Sequence, residues 1–111
     1  MYEYKATMVH VVDGDTIDFD VDLGVETHRL LRVRLYGVDT PERGQAGWAE
    51  ATDFVKSWFA KHGNVIQLET IKDKTEKYGR YLAMVYAPDA PISESLNRLL
   101  VSNGLARVYL P

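Results

Sequence analysis

The sequence predicts a small α+β protein that is mainly β, a five-stranded barrel accompanied by two helices. Three observations lead to this prediction: apolar residues alternate along the first 40 positions, their spacing then becomes helical, and two further strand-like segments follow. The chain has 111 residues, of which 46% are hydrophobic and 26% charged, and these proportions are typical of globular domains. A chain of this length is expected to form one core, so we assign residues 1–111 to a single domain.

Strict alternation of apolar and polar residues defines the first three predicted strands. Residues 4–12 form the first strand, which ends at Asp13-Gly14, a dipeptide that favours a hairpin. The second strand covers residues 16–23, and residues 31–36 repeat the same alternation. The three segments are therefore expected to form an antiparallel meander.

The hydrophobic period changes after Gly47. Apolar side chains then recur at helical spacing as far as Lys61, and Gly63 is well placed to end the helix. Two more strands are expected near residues 65–71 and 80–87, joined by a polar stretch.

A second, shorter helix is expected before the end of the chain. Ser93 is a good N-cap for it, and Gly104 suits its C-terminal cap. Residues 105–110 form a last short strand. This order of elements describes a Greek-key barrel of the OB type, with its main helix between the third and fourth barrel strands. A β-sandwich is the alternative architecture.

Composition excludes several classes of protein. No cysteine is present, so a disulfide framework and a thiolate metal site are both excluded. No apolar run approaches the roughly 20 residues that cross a bilayer, and the N-terminal sequence lacks the basic start and apolar block of a signal peptide. We therefore expect a soluble, cytoplasmic monomer with no membrane partner.

The charge is unevenly distributed along the chain. The formal net charge is −3, and the first 50 residues carry ten acidic but only five basic side chains. A domain that binds duplex DNA mainly through its phosphates is usually far more basic. The acidic half is explained either by a solvated face or by carboxylates that converge on a metal ion.

Three short polar segments contain the candidate functional residues: 12–16, 34–42 and 76–80. Each has a structural explanation when taken alone, since Asp-Gly favours a hairpin, Thr-Pro stiffens a turn, and the third segment joins two strands. Taken together they indicate a site, because a barrel of this strand order can bring the β1–β2 turn next to the end of its third strand.

These segments supply the side chains that are needed to hydrolyse a phosphodiester. Asp15 and Asp39 would approach each other, which is unfavourable unless a positive charge lies between them. Two carboxylates and a backbone carbonyl are ligands that Ca²⁺ or Mg²⁺ prefers, and Glu42 follows closely enough to hold or deprotonate a water. Arg34 and Arg80 carry guanidinium forks that match the non-bridging oxygens of a phosphate. A metal ion, a base and two arginines form a minimal apparatus for this reaction.

Four motifs occur in order along nearly the whole chain: Asp-Gly-Asp-Thr at 13–16, Val-Asp-Thr-Pro-Glu at 38–42, Lys-Tyr-Gly-Arg at 77–80 and Gly-Leu-Ala-Arg-Val at 104–108. With them, the sequence resembles the thermonuclease family, that is, the staphylococcal nuclease-like domains. The resemblance implies an OB-fold nuclease that hydrolyses DNA and RNA to products with 3′-phosphate ends. It also implies dependence on Ca²⁺, although the same oxygens can take Mg²⁺ or Mn²⁺.

The resemblance implies a role for each carboxylate of the site. Asp15 and Asp39 match the family's metal-binding carboxylates, and Thr40 matches the residue that contributes its backbone carbonyl. Glu42 matches the glutamate proposed as general base, or as organiser of the attacking water.

The basic residues also have counterparts in the family. Arg34 and Arg80 match the two arginines that clamp the phosphate, and Lys77 and Tyr78 match positions near the nucleotide's terminal phosphate. The loop at residues 43–47 is short compared with the long loop of the familiar secreted enzyme, which should change how the site holds an extended substrate.

Two other functions are compatible with the fold. A binding module that kept the barrel and lost catalysis would typically lack part of the carboxylate–arginine set, whereas this chain keeps every member. A purely structural OB domain that docks a protein partner leaves the paired arginines and carboxylates unexplained. The sequence therefore favours an enzyme whose substrate is nucleic acid.

Overall fold

Seven strands, two α-helices and one 3₁₀ turn form in the part of the chain that the structure describes. This computed structural model describes residues 2–75, 80–88 and 90–109. The elements follow one another as β1 (Tyr2–Asp13), β2 (Thr16–Asp22), β3 (His28–Leu35), β4 (Val38–Asp39), α1 (Trp48–His62), β5 (Val65–Thr75), β6 (Tyr81–Tyr86), a 3₁₀ turn (Ile92–Glu94), α2 (Leu96–Ser102) and β7 (Arg107–Val108). No helix within the described residues is long and apolar enough to cross a membrane.

Five of the strands close into a barrel in the order β1-β2-β3-β6-β5. The first three form an antiparallel meander, β6 joins β3 in parallel, and β5 pairs with both β6 and β1. Because α1 lies in the chain between β3 and β5, the barrel has its main helix between its third and fourth strands. The predicted fold is confirmed.

The alternation seen in the sequence places the apolar side chains of the strands inside the barrel. Ile17, Phe19 and Val33 are completely buried. Phe59 of α1 packs edge-on against Phe19, with ring centroids 6.1 Å apart, so the helix and the barrel share one hydrophobic core. Burying a side chain of this size typically stabilises the fold by about 1.5–3 kcal/mol.

The first helix has the predicted glycines at its two ends. Gly47 precedes α1 with φ of 92°, and Gly63 follows it with φ of 89°. These backbone angles are favourable mainly for glycine. Gly63 also donates its N–H to the carbonyl of Phe59 at 2.7 Å, which satisfies one of the carbonyls left free at the helix end.

The predicted N-cap of the second helix was wrong. Ser93 lies within the 3₁₀ turn, whereas α2 begins after Ser95. The Ser95 hydroxyl accepts a hydrogen bond from the backbone N–H of Arg98 at 3.2 Å. This N–H lies in the first turn of α2 and has no partner within the helix. Ser95, three residues before Arg98, is therefore the N-cap.

The last strand is shorter than the predicted 105–110 and lies outside the barrel. β7 forms a separate two-stranded sheet with β4, in which Asp39 is the register partner of Arg107. Tyr109 continues this contact by donating its backbone N–H to the carbonyl of Gly37 at 2.9 Å. This small sheet attaches the C-terminal segment to the chain that follows β3.

The side chain of Asn97 connects α2 to β6 and to Tyr36, the residue that follows β3. Its Nδ2 donates to the carbonyls of Tyr36 at 2.9 Å and Ala83 at 3.0 Å. Its Oδ1 accepts from the backbone N–H of Val85 at 3.0 Å. Asn97 is 2% exposed, so these backbone groups are satisfied by one side chain in a place that bulk water does not reach.

We expect Asn97→Ala to lower the free energy of unfolding by about 3 kcal/mol, because it removes the side-chain partner of the Val85 N–H and the Tyr36 carbonyl. The Ala83 carbonyl still accepts from the Tyr36 N–H. Urea denaturation followed by tryptophan fluorescence measures this loss. Asn103→Ala is the matched control, since Asn103 is exposed at the end of α2 and its side-chain amide donates to the carbonyl of Leu99 at 2.7 Å. An equal loss in both variants would contradict the structural role assigned to Asn97.

Candidate active site

The turn between β1 and β2 lies beside the end of β3. Thr16 and Arg34 are register partners in the antiparallel β2–β3 pair. Leu35 donates its backbone N–H to the carbonyl of Asp15 at 2.8 Å. This strand pairing places the Asp-Gly-Asp-Thr turn next to the strand end that carries the first arginine.

The guanidinium of Arg34 contacts both predicted metal-binding carboxylates. Its Nη2 is 3.6 Å from Asp15 Oδ2 and 3.3 Å from Asp39 Oδ1. The same nitrogen donates to the carbonyl of Val38 at 3.3 Å, and the ring centroid of Tyr109 lies 5.3 Å from Arg34 Cζ, within cation–π range. The Arg34 side chain is 15% exposed, so salt screens these attractions less than at an open surface.

Both oxygens of Asp15 accept hydrogen bonds. Oδ1 accepts from the Thr16 hydroxyl at 3.1 Å, and Oδ2 accepts from the backbone N–H of Thr40 at 3.2 Å. Asp15 is 7% exposed. The Thr16 hydroxyl and the Thr40 N–H thus hold the carboxylate in one orientation. The bond to Thr40 also keeps Asp15 close to the 38–42 motif.

Gly14 makes this close approach possible. A Cβ atom at position 14 would lie 2.9 Å from the Cβ of Ala51 in α1. It would also lie 3.0 Å from both Cγ2 and Oγ1 of Thr40, and side chains rarely pack so tightly without a shift. The glycine is therefore required by packing against α1 and Thr40.

Arg80 joins the cluster through a threonine. It directly precedes β6, whose first residue, Tyr81, pairs in parallel with Val33 of β3. Arg80 Nη1 donates to the Thr16 hydroxyl at 3.1 Å, and that hydroxyl donates in turn to Asp15. Sequence reasoning missed Thr16 as a member of the site; its only signal was its place in the Asp-Gly-Asp-Thr motif.

Glu42 lies beside the cluster, on the loop that leads to α1. It is exposed, and its backbone N–H donates to Gln45 Oε1 at 2.8 Å. With Asp39 and Thr40 it lines an open groove of about 650 Å³, whose other wall is formed by residues 104–107. We call this the side groove.

The sequence is similar to those of known proteins. The family profile described as "Staphylococcal nuclease homologue" matches residues 32–110. The chain belongs to this family. An "Uncharacterized endonuclease" of Escherichia coli O157:H7 is 34% identical to it over 102 residues, which cover 92% of this chain and 59% of the relative.

Other curated relatives of this staphylococcal nuclease homologue carry different names. A "Micrococcal nuclease" of Shigella flexneri is 30% identical, with 96% of this chain and 59% of the relative covered. "Protein ParB" of Escherichia coli is 32% identical, with 96% of this chain and 58% of the relative covered. The chain therefore spans a little under three fifths of the length of these relatives.

Two of the predicted substrate-binding residues of this family member are not placed. Lys77 and Tyr78 lie outside the described residues. Arg80, the last residue of the same Lys-Tyr-Gly-Arg motif, is placed, and it is half-buried at the cluster. The role predicted for Lys77 and Tyr78 stays a prediction.

The donor set of this family member fits a hard divalent cation. No group of three or more carboxylate or imidazole side chains suited to a metal ion occurs among the described residues, so protein ligands would be two aspartates and backbone, with water. Such mixed oxygen shells suit Ca²⁺ and Mg²⁺. In addition, Thr40 Oγ1 is buried and has no hydrogen-bond partner among the described residues, whereas buried polar atoms normally have one.

Proposed function

We propose that this chain is a metal-dependent nuclease that hydrolyses phosphodiester bonds of DNA or RNA and leaves 3′-phosphate ends. One observation carries the proposal: Arg34 contacts both Asp15 and Asp39, and Arg80 reaches the same aspartate through Thr16. Two carboxylates and two arginines thus meet at one barrel end. Membership of the staphylococcal nuclease homologue family supports the same conclusion.

Asp15, Asp39 and the backbone carbonyl of Thr40 are the groups that would hold the cation. Ca²⁺ is the ion we propose, and Mg²⁺ or Mn²⁺ suits the same oxygens. When bound there, the ion supplies positive charge to a phosphate oxygen and lowers the cost of the charge that develops on it. The hydrogen bonds from Thr16 and Thr40 fix the orientation of Asp15 before any ligand arrives.

Glu42 acts on the attacking water. Its exposed carboxylate on the groove wall orients this water and accepts one of its protons as the water oxygen forms a bond to phosphorus. The bond between phosphorus and the 5′-oxygen breaks on the opposite side, and that oxygen keeps the bonding electron pair and takes up a proton. The products are a 3′-phosphate and a 5′-hydroxyl.

Arg34 and Arg80 stabilise the negative charge that builds on the phosphoryl oxygens. A guanidinium donates in a planar fork, which fits two phosphate oxygens at once, whereas an ammonium is a point charge. Both arginines are partly removed from water, which strengthens their interaction with the phosphate.

The first experiment is cleavage of a single-stranded DNA by the purified protein in millimolar Ca²⁺, in Mg²⁺ and in chelator. We expect cleavage in Ca²⁺ that stops when the chelator is added. The products should resist extension by terminal transferase until a phosphatase removes the 3′-phosphate. Cleavage that continues in excess chelator would contradict metal dependence, and products that extend directly would contradict the assigned bond.

The competing function is a binding module that retains the site without turnover. It predicts a folded protein that binds a nucleotide and cleaves neither DNA nor RNA under any of these conditions. That result would replace the nuclease proposal by the binding module.

A further inference from the structure

The side groove is lined by two of the proposed metal-binding residues, Asp39 and Thr40, and extends beyond them to the C-terminal segment. One wall consists of residues 39–42 with 45 and 46, and the other wall consists of residues 104–107. Its volume of about 650 Å³ lies within the range of sites that hold nucleotide-sized ligands. A strand bound with one phosphate at Arg34 therefore has room for an adjoining nucleotide here.

Arg107 stands at the boundary between this groove and the site. The β4–β7 pairing places it directly opposite Asp39, and its Nη2 is 3.5 Å from Asp39 Oδ2. Residues that face each other in an antiparallel pair lie on the same side of the sheet. The register of this small sheet therefore fixes an arginine next to the carboxylate that also contacts Arg34.

The contact with Asp39 leaves most of the Arg107 guanidinium open to a ligand. The Arg107 side chain is 87% exposed, and an exposed ion pair of this kind contributes little to stability. A guanidinium carries five N–H donors, so one long contact to a carboxylate does not exhaust them. Among the described residues that line the groove, Arg107 is the cation, while Asp39 and Glu42 repel a phosphodiester.

The opposite wall is ordered by contacts of its own. Gln45 and Glu42 exchange two hydrogen bonds, from Glu42 N–H to Gln45 Oε1 at 2.8 Å and from Gln45 N–H to the Glu42 carbonyl at 2.9 Å. Arg43 lies over the ring of Trp48, with Cζ 4.7 Å from the centroid. The indole N–H of Trp48 donates to Asp13 at 2.7 Å, so the short loop is fastened to β1.

We propose that the side groove is a subsite for the single-stranded nucleic acid next to the scissile phosphate, and that Arg107 binds the adjoining phosphodiester. The inference rests on the proposed nuclease function and adds a second phosphate contact to it. The subsite gives a role to the exposed Arg107, which lies in a groove whose carboxylates, Asp39 and Glu42, would otherwise repel the substrate.

The test compares Arg107→Ala with wild type on two substrates that differ in length. One is a single-stranded decanucleotide, and the other is a nitrophenyl ester of a single nucleotide, which has no adjoining phosphodiester. We expect the KM for the decanucleotide to rise about tenfold, as for loss of a charged hydrogen bond, with kcat unchanged. The KM and kcat for the ester should stay within twofold of wild type.

Salt dependence gives a readout that a structural role of Arg107 would not move. The plot of log affinity against log salt should lose about 0.7 from its slope when one single-strand phosphate contact is removed. Arg107→Lys keeps the positive charge and should retain most of the slope. Arg29→Ala is the control, because Arg29 is exposed at the far end of β3 and should leave both substrates unaffected.

Two results would overturn the subsite. Equal effects on the decanucleotide and the ester, together with a higher Ca²⁺ requirement, would mean that Arg107 acts by holding Asp39. No effect on either substrate would mean that the groove does not hold the strand.

The subsite can also be tested apart from catalysis. Fluorescence anisotropy measures the binding of a labelled decanucleotide to Glu42→Gln, with and without Arg107→Ala, in Ca²⁺. If wild type cleaves neither substrate, the proposed nuclease function fails, but a tenfold weaker binding with the reduced salt slope would still support the subsite. Unchanged binding would refute it.

Discussion

Arg80→Lys is expected to reduce kcat by about 10³-fold while leaving the fold intact, which is the lower end of the range seen for arginines that stabilise a transferring phosphoryl group. The structure shows what lysine would lose. Arg80 Nη1 donates to the Thr16 hydroxyl, and the guanidinium has further N–H groups for a phosphate. A lysine has the charge but cannot form the same fork, so it must give up one of these contacts.

Steady-state cleavage of single-stranded DNA at saturating Ca²⁺ measures this loss, and circular dichroism checks the fold. Arg29→Lys, at the far end of β3, is the matched control and should cleave like wild type. If Arg80→Lys turns over at a near-normal rate, the assignment of Arg80 as a phosphate clamp is wrong.

Glu42→Gln is the second change with a large expected effect. We expect kcat to fall by about 10³-fold, because glutamine can orient a water but cannot take its proton, and general bases contribute 10²–10⁴-fold. The loop itself should survive the change. Its hydrogen bonds use the backbone of residue 42: the N–H donates to Gln45 Oε1, and the carbonyl accepts from the Gln45 N–H, both independently of the carboxylate.

Binding and turnover together decide the role of Glu42. The variant should bind Ca²⁺ and a nucleotide with affinities close to those of wild type, measured by titration calorimetry. Glu26→Gln is the control, because it makes the same chemical change in the turn between β2 and β3. That turn lies at the opposite end of the β2–β3 pair from Arg34, so the change should not alter kcat. A fully active Glu42→Gln would show that another group or bulk water accepts the proton.

Much of the fold followed from local patterns in the sequence. Alternation predicted the three strands of the meander because a half-buried strand turns every second side chain to the core. The change to helical spacing predicted α1, and glycines marked both its ends. The prediction of Ser93 as N-cap failed because Ser93 and Ser95 both precede a leucine-rich segment. Ser93 lies within the 3₁₀ turn, and the hydroxyl of Ser95 meets the free N–H of α2.

Some residues of the proposed site were predicted from the sequence, and one was not. Asp15, Arg34 and Asp39 were predicted because carboxylates and arginine stand in short motifs whose chemistry and resemblance to a family can be recognised from the letters alone. Thr16 was missed, since a threonine at the start of a strand carries no such chemistry until Arg80 donates to it. That contact joins residues 64 positions apart.

The sequence by itself determined the barrel, its main helix and the side chains available for chemistry, because periodicity, turn residues and motifs are local properties of the chain. Only the tertiary structure decided which of these side chains meet. The close packing of Gly14 on Thr40 and the register that sets Arg107 opposite Asp39 arise from contacts between distant segments. Such contacts depend on how whole elements pack, and no local pattern encodes their distances.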